Sequence, residues 1–339
     1  MKKYIYFLFC FITLSNTAFA QKSPDKNTNS TANKTLISKD LKISVDKDSG
    51  NFIFYAKEKQ DSTTENNSKD WVKILSEKTI PSSYFLFLKN GASIGYGSGE
   101  KGIHTCQIKW NEIKYAWENA EVRIISSFCF SENRATSSYD GFKIKLNIQN
   151  ISKNEIELTP IACFDGNNDT LEEHYFTSNQ RISNEQELLG SNIKDFLIIN
   201  TLIKHTSLKL LLPEITFPNK KTTDTVRPKR IFFTNWRRMK NYESGFFPIN
   251  ANRPFNTEPY SDNDSAAFIE FPNTKIQTDS SIEINFNLTL EKSRISVSSQ
   301  ARLDELFQLL KEINQKLNKG EVVEKKYLND LDDYLNILQ

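Results

Sequence analysis

Between Phe142 and Gln149 the chain alternates without interruption: Phe142, Ile144, Leu146 and Ile148 are apolar, and Lys143, Lys145, Asn147 and Gln149 are polar. A second run sets Ile282, Ile284, Phe286 and Leu288 against Glu283, Asn285, Asn287 and Thr289. Successive side chains on a strand point to opposite faces, so each run reads as a strand with one buried and one wet face, the pattern of antiparallel sheets. Similar runs recur along the chain. Leu41–Val45 and Phe52–Ala56 flank the turn residues Asp48-Ser49-Gly50-Asn51, and Tyr84–Ser93 folds back at Asn90-Gly91, the strongest hairpin signal present. Further strands are expected at 71–75, 102–110, 113–117, 122–131, 156–164, 195–202, 207–212, 230–234 and 266–271. Twenty-four Phe and twelve Tyr against eleven Gly suit strands carrying bulky side chains. The fold class expected for residues 37–296 is therefore mainly β, a large antiparallel β-sandwich, either one extended sandwich (a supersandwich) or two packed ones.

The two ends differ from this pattern. MKKYIYFLFCFITLSNTAFA has a positive start, an apolar core too short to span a bilayer and a small-x-small site at Ala18-Phe19-Ala20, so residues 1–20 read as a signal peptide. Cys10 lies inside the apolar core, where it does not serve as a lipidation site. Residues 21–36 are rich in Asn, Ser, Thr and Lys without apolar period and read as a disordered linker. After Ser298-Ser299, Leu303, Leu306, Leu310, Ile313 and Leu317 step by three and four. Gly320 interrupts, and Leu328, Leu331, Leu335 and Leu338 resume the step. Residues 297–339 are expected to form an α-helical hairpin, docked on the sandwich or used for oligomerisation.

Composition excludes several classes. The formal charge is +2, and loss of Lys2 and Lys3 leaves the mature chain near neutral, which argues against a nucleic-acid partner. No second apolar run approaches membrane-spanning length, so no transmembrane segment is expected after cleavage. The mature chain keeps Cys106, Cys129 and Cys163, an odd number in strand-like runs. Small buried thiols, one internal bridge or a reactive thiol all remain open. No CxxC or Cys/His spacing suggests zinc, and no cofactor is expected.

Four constellations could carry chemistry. Gly97-Ser98-Gly99-Glu100-Lys101-Gly102 matches GxGxxG, but strand-like runs flank it where a dinucleotide site needs a helix, so it reads as an inter-strand loop. Asp165, Asn167 and Asp169 reproduce the first three ligand positions of an EF-hand loop and are the calcium candidates, yet Thr170 and Phe176 stand where that loop needs Gly and Glu. The same segment holds Glu172, Glu173 and His174, the one carboxylate–imidazole set suited to proton transfer and hence the catalytic candidates. Lys220, Lys221, Arg227, Lys229, Arg230, Arg237, Arg238 and Lys240 surround Phe232, Phe233 and Trp236, of which Trp236, Arg237 and Arg238 are ligand-binding candidates for a glycan or polyanion. Asp262 and Asp264 ahead of AAFIEF could ligate a cation, but capping a turn is the commoner role.

The order of SGNFIFY, PSSYFLFLKNG, KIKLNIQNISKNEIELTPIACFDG, RIFFTNWRRM, PYSDNDSAAFIEFP and the Leu-rich end resembles a group of exported bacterial β-sandwich proteins without an assigned role. More remotely, KLNIQNISKNEIELTPIACFD is similar to a strand pair of the galactose mutarotase-like supersandwich. The first resemblance implies a periplasmic or secreted protein that binds or supports an envelope protein or glycan. The second implies a carbohydrate-active enzyme using His174 with Glu172 or Glu173.

Overall fold

A computed structural model of the protein describes residues 33–57, 71–77, 80–133, 138–167, 174–178, 180–201, 206–218, 224–239, 249–257, 264–292, 299–320 and 322. The leader and most of the linker lie outside these residues, as do Asp169, Glu172, Glu173, Lys240 and the Leu-rich segment 328–338.

The described strands pair in three antiparallel sheets. The first is a meander of β1 (Lys34–Ile37), β2 (Leu41–Val45), β3 (Phe52–Lys57) and β4 (Trp71–Lys73). The second, of seven strands, contains β5 (Tyr84–Lys89), β6 (Ala92–Ser93), β11 (Ile156–Asp165), β14 (Gln186–Leu189), β18 (Arg230–Asn235), β19 (Ser265–Glu270) and β20 (Thr274–Ile276). The third, of ten, contains β7 (Ile103–Lys109), β8 (Glu112–Glu118), β9 (Val122–Asn133), β10 (Ser138–Asn150), β12 (Tyr175–Phe176), β13 (Arg181–Ile182), β15 (Phe196–Asn200), β16 (Thr206–Leu211), β17 (Ile215–Thr216) and β21 (Ser281–Lys292). Its main path runs β13-β12-β15-β16-β21-β10-β9-β8-β7, which leaves β7 as one edge. The two most regular alternating runs, in β10 and β21, are direct neighbours: Phe142 lies opposite Leu288 and Ile148 opposite Ile282. Their apolar residues thus share one buried face.

Phenylalanines join the sheets. Phe52 of β3 lies 5.3 Å from both Phe85 of β5 and Phe128 of β9, and Phe54 stacks on Phe142 of β10 at 4.2 Å with rings 4° apart. All five are buried. Each such side chain contributes about 1.5–3 kcal/mol through burial, and ring pairing adds roughly 0.5–1.5 kcal/mol. The expected hairpin turns are present. Asn90 and Gly91 both take positive φ, 53° and 78°. In the β2–β3 turn the Asp46 carboxylate accepts bonds from the Ser49 amide at 2.6 Å and hydroxyl at 2.7 Å.

Two expectations need adjustment, and a third extends beyond the described residues. The linker ends earlier than its composition suggests, because Lys34–Ile37 pairs with β2 and Leu36 packs on the core. The stretch 175–189 carries β12, β13 and β14, short strands recruited by pairing rather than by their own pattern: β12 on β15, β13 on β12 and β14 on β18. At the C-terminal end one helix is described, α2 (Ser299–Asn318), which ends before Gly320 at φ 69°. Its seam residues Leu310 and Leu317 are 41% and 59% exposed, and the second arm of the expected hairpin lies outside the described residues. No helix among the described residues is long and apolar enough to cross a membrane.

Candidate functional site

The residues singled out from sequence converge on one end of the seven-stranded sheet. Register places Asp165 of β11 and Thr234 of β18 on either side of Ala266 of β19, and Asn235 opposite Ser265. His174 precedes β12 of the other large sheet and is 1% exposed. Its amide donates to Ile182 O, its carbonyl accepts from the Asn200 amide, its Nδ1 is in hydrogen-bond contact with Ser265 Oγ, and its ring centroid sits 4.9 Å from that of Phe255. The Tyr175 hydroxyl reaches the same Ser265 Oγ at 3.2 Å. His174 therefore fastens one large sheet to the other from inside, and its candidate carboxylates Glu172 and Glu173 fall outside the described residues.

The basic aromatic candidates also turn inward. β18 runs into a short helix, α1 (Trp236–Met239), whose Trp236 donates its indole N–H to Ser82 O at 3.0 Å. Arg238 forms an ion pair with the buried Glu185, which also accepts a 2.7 Å bond from Thr234 Oγ1. A carboxylate so buried requires this pairing, since losing the cation would strand its charge at a cost of about 3–5 kcal/mol. Of the three ligand-binding candidates, Arg237 alone is exposed. Asp165 is buried, and Asn167 donates its side-chain amide to Lys73 O at 3.2 Å. Asp264, expected at a turn, is buried as well, and its carbonyl accepts the Trp236 amide at 2.8 Å. Both acids act on Cys163, whose thiol is pushed well up by burial, with Asp165 and Asp264 adding to the effect. Cys106, Cys129 and Cys163 are all free thiols. The GxGxxG segment is an inter-strand loop held by Trp117, whose Nε1 donates to Ser98 O at 3.2 Å.

The accessible candidate is elsewhere, at the edge of the ten-stranded sheet. β7 and β8 form a hairpin closed by Trp110 and Asn111, with Lys109 opposite Glu112. Trp110 is 92% exposed and has φ 57°, backbone that glycine ordinarily supplies in two-residue hairpins. Holding a bulky side chain there costs on the order of 1–3 kcal/mol, and no burial of the indole offsets it. On the same strand Ile103 is 79% and Ile108 46% exposed. The apolar pattern of the sequence ends one strand at Trp110 and begins the next at Ile113. The available signal was a tryptophan where Gly, Asn or Asp is the usual residue.

No protein-family model and no curated protein matches the chain. Solved structures do show a remote similarity to galactose mutarotase-like proteins. An Escherichia coli K12 protein provisionally assigned as an aldose 1-epimerase aligns over 77% of this chain and 99% of its own, at 12% identity and TM-score 0.48. A galactose mutarotase-like protein from Lactobacillus casei aligns over 77% and 100%, at 8% identity and TM-score 0.45. A GalM/aldose epimerase homologue from C. elegans aligns over 77% and 99%, at 8% identity and TM-score 0.43.

Proposed function

We propose that this is an exported β-sandwich protein of the cell envelope or its surroundings, acting by association rather than catalysis, with the β7–β8 hairpin as its contact element. Export is supported by the leader and its Ala18-Phe19-Ala20 site. The observation that carries the binding role is Trp110, a fully presented indole on strained backbone. Stability alone favours glycine at that position, so the residue is retained for what it touches. The enzymatic alternative rests on His174, which is enclosed between two sheets with Ser265 and Phe255 as neighbours.

The test compares the wild-type chain with Trp110→Gly. The variant keeps its β-sheet circular dichroism and melts at the same or a higher temperature, because strain is relieved and little burial is lost. It loses most of its association, read both as retention on isolated envelope material and as mass in solution. Unchanged retention together with unchanged mass would overturn the proposal.

A further inference from the structure

The main paths of the three sheets end in six edge strands among the described residues, β1, β4, β6, β13, β14 and β7, while β17 and β20, of two and three residues, branch off them. The first five are two to four residues long, and β7 has seven. A sheet edge presents unpaired N–H and C=O groups, and proteins ordinarily blunt it with short strands, proline or charge. Ile103-His104-Thr105-Cys106-Gln107-Ile108 contains no proline and no Asp, Glu, Lys or Arg. β1 packs against β7 and β8, and among the described residues the one strand paired with β7 is β8.

We propose that β7 pairs antiparallel with β7 of a second copy about a two-fold axis through Cys106, joining the two ten-stranded sheets into one. This rests on the reading of the hairpin as a contact element and names its partner. A two-fold normal to the sheet keeps each face on its own side, so half-buried His104 and Cys106 must meet residues of their own face. That condition places a residue on the axis. Centred on Thr105, the pairing sets Lys109 opposite the partner's Lys101, and like charges directly opposite are destabilising. Centred on Cys106, it sets Lys109 opposite the partner's Ile103, Thr105 opposite the partner's Gln107, and Trp110 beside the partner's Gly102. Gly102 is already covered by Trp117 of its own chain, 2.5 Å from where a Cβ would stand, so the incoming indole adds to an aromatic edge already in place. Rotation about Cys106 also sets Ile108 opposite the partner's His104, so no like charges face each other along the seam. A seven-residue edge buries a modest area, and the dimer dissociates in roughly the micromolar range.

The chain from Gln21 onward, carrying Cys129→Ser and Cys163→Ser, keeps Cys106 as its one thiol. Light scattering across micromolar concentrations gives a mass rising from monomer to dimer, and diamide oxidation yields a reducible dimer through Cys106. Cys106→Ser abolishes the cross-link while the mass shift remains, and Trp110→Gly abolishes both. A chain that stays monomeric throughout overturns the dimer. If Trp110→Gly then still reduces envelope retention, the contact-element reading survives with a different partner, and if it does not, both fail. A dimer that cross-links more efficiently through Thr105→Cys in the Cys106→Ser chain overturns the Cys106-centred register.

Discussion

His174 illustrates how one residue can be located correctly in sequence and misjudged in environment. Its neighbours Glu172 and Glu173 made it resemble a solvated acid/base pair, because local polarity is all that a single sequence displays. Its position is set instead by Ser265 and Phe255, more than eighty residues away, which no local pattern announces. Asp165, Glu185 and Asp264 are legible as polar and illegible as buried for the same reason. Replacing His174 by alanine removes ring packing and leaves Ser265 Oγ with one fewer partner, so it should destabilise the protein by about 3 kcal/mol in denaturant unfolding. A variant that keeps its unfolding midpoint would show that the ring is no structural fastener between the sheets.

Elements were legible where pattern and burial agree. The alternating faces of β10 and β21, the turn residues Asn90-Gly91 and the periodic α2 all follow from period and turn chemistry. The strands β12, β17 and β20 have two or three residues and carry no period of their own, so their existence depends on the longer strands they pair with, and β13 depends in turn on β12. One irregularity within a long strand is also tertiary in origin. β10 shifts register against β9 between Tyr139 and Gly141, and a Cβ on Gly141 would lie 2.0 Å from the carbonyl oxygen of Leu288 on β21. The atoms that this Cβ would meet, in Leu288 and Thr289, all belong to backbone, so Gly141→Ala must move one strand of the pair. The expected loss is about 1–3 kcal/mol, read from the shift in urea midpoint. A neutral substitution would mean that β10 and β21 separate easily there and that the close approach is not a constraint.

At the scale of the whole molecule, the sheets are held together through buried phenols as well as phenylalanines. Burial raises Tyr55 of β3 to about 12, helped by Glu77, whose carboxylate accepts its hydroxyl at 3.4 Å. Burial also pushes Tyr84 of β5, Tyr96 and Tyr115 of β8 upward, with the Ser126 hydroxyl opposing part of the shift at Tyr96. An acid whose folded pKa is raised binds its proton more tightly in the native state than in the unfolded chain. The stability it contributes is complete below the unfolded value near 10 and is lost as pH rises through the folded one. All four shifts act in the same direction and reach all three sheets, so the fold should weaken steeply above pH 10, with the raised thiols of Cys106 and Cys163 starting the decline near 9. Urea midpoints measured at successive pH values should fall across this alkaline window, and phenolate absorbance should appear together with loss of the native circular dichroism. In Tyr55→Phe the decline becomes shallower between about 10 and 12, because one of the linked protons has been removed. Phenolate formed near pH 10 with tertiary structure intact would show that these hydroxyls reach water in the folded protein, and that the sheets are joined by phenylalanine packing alone.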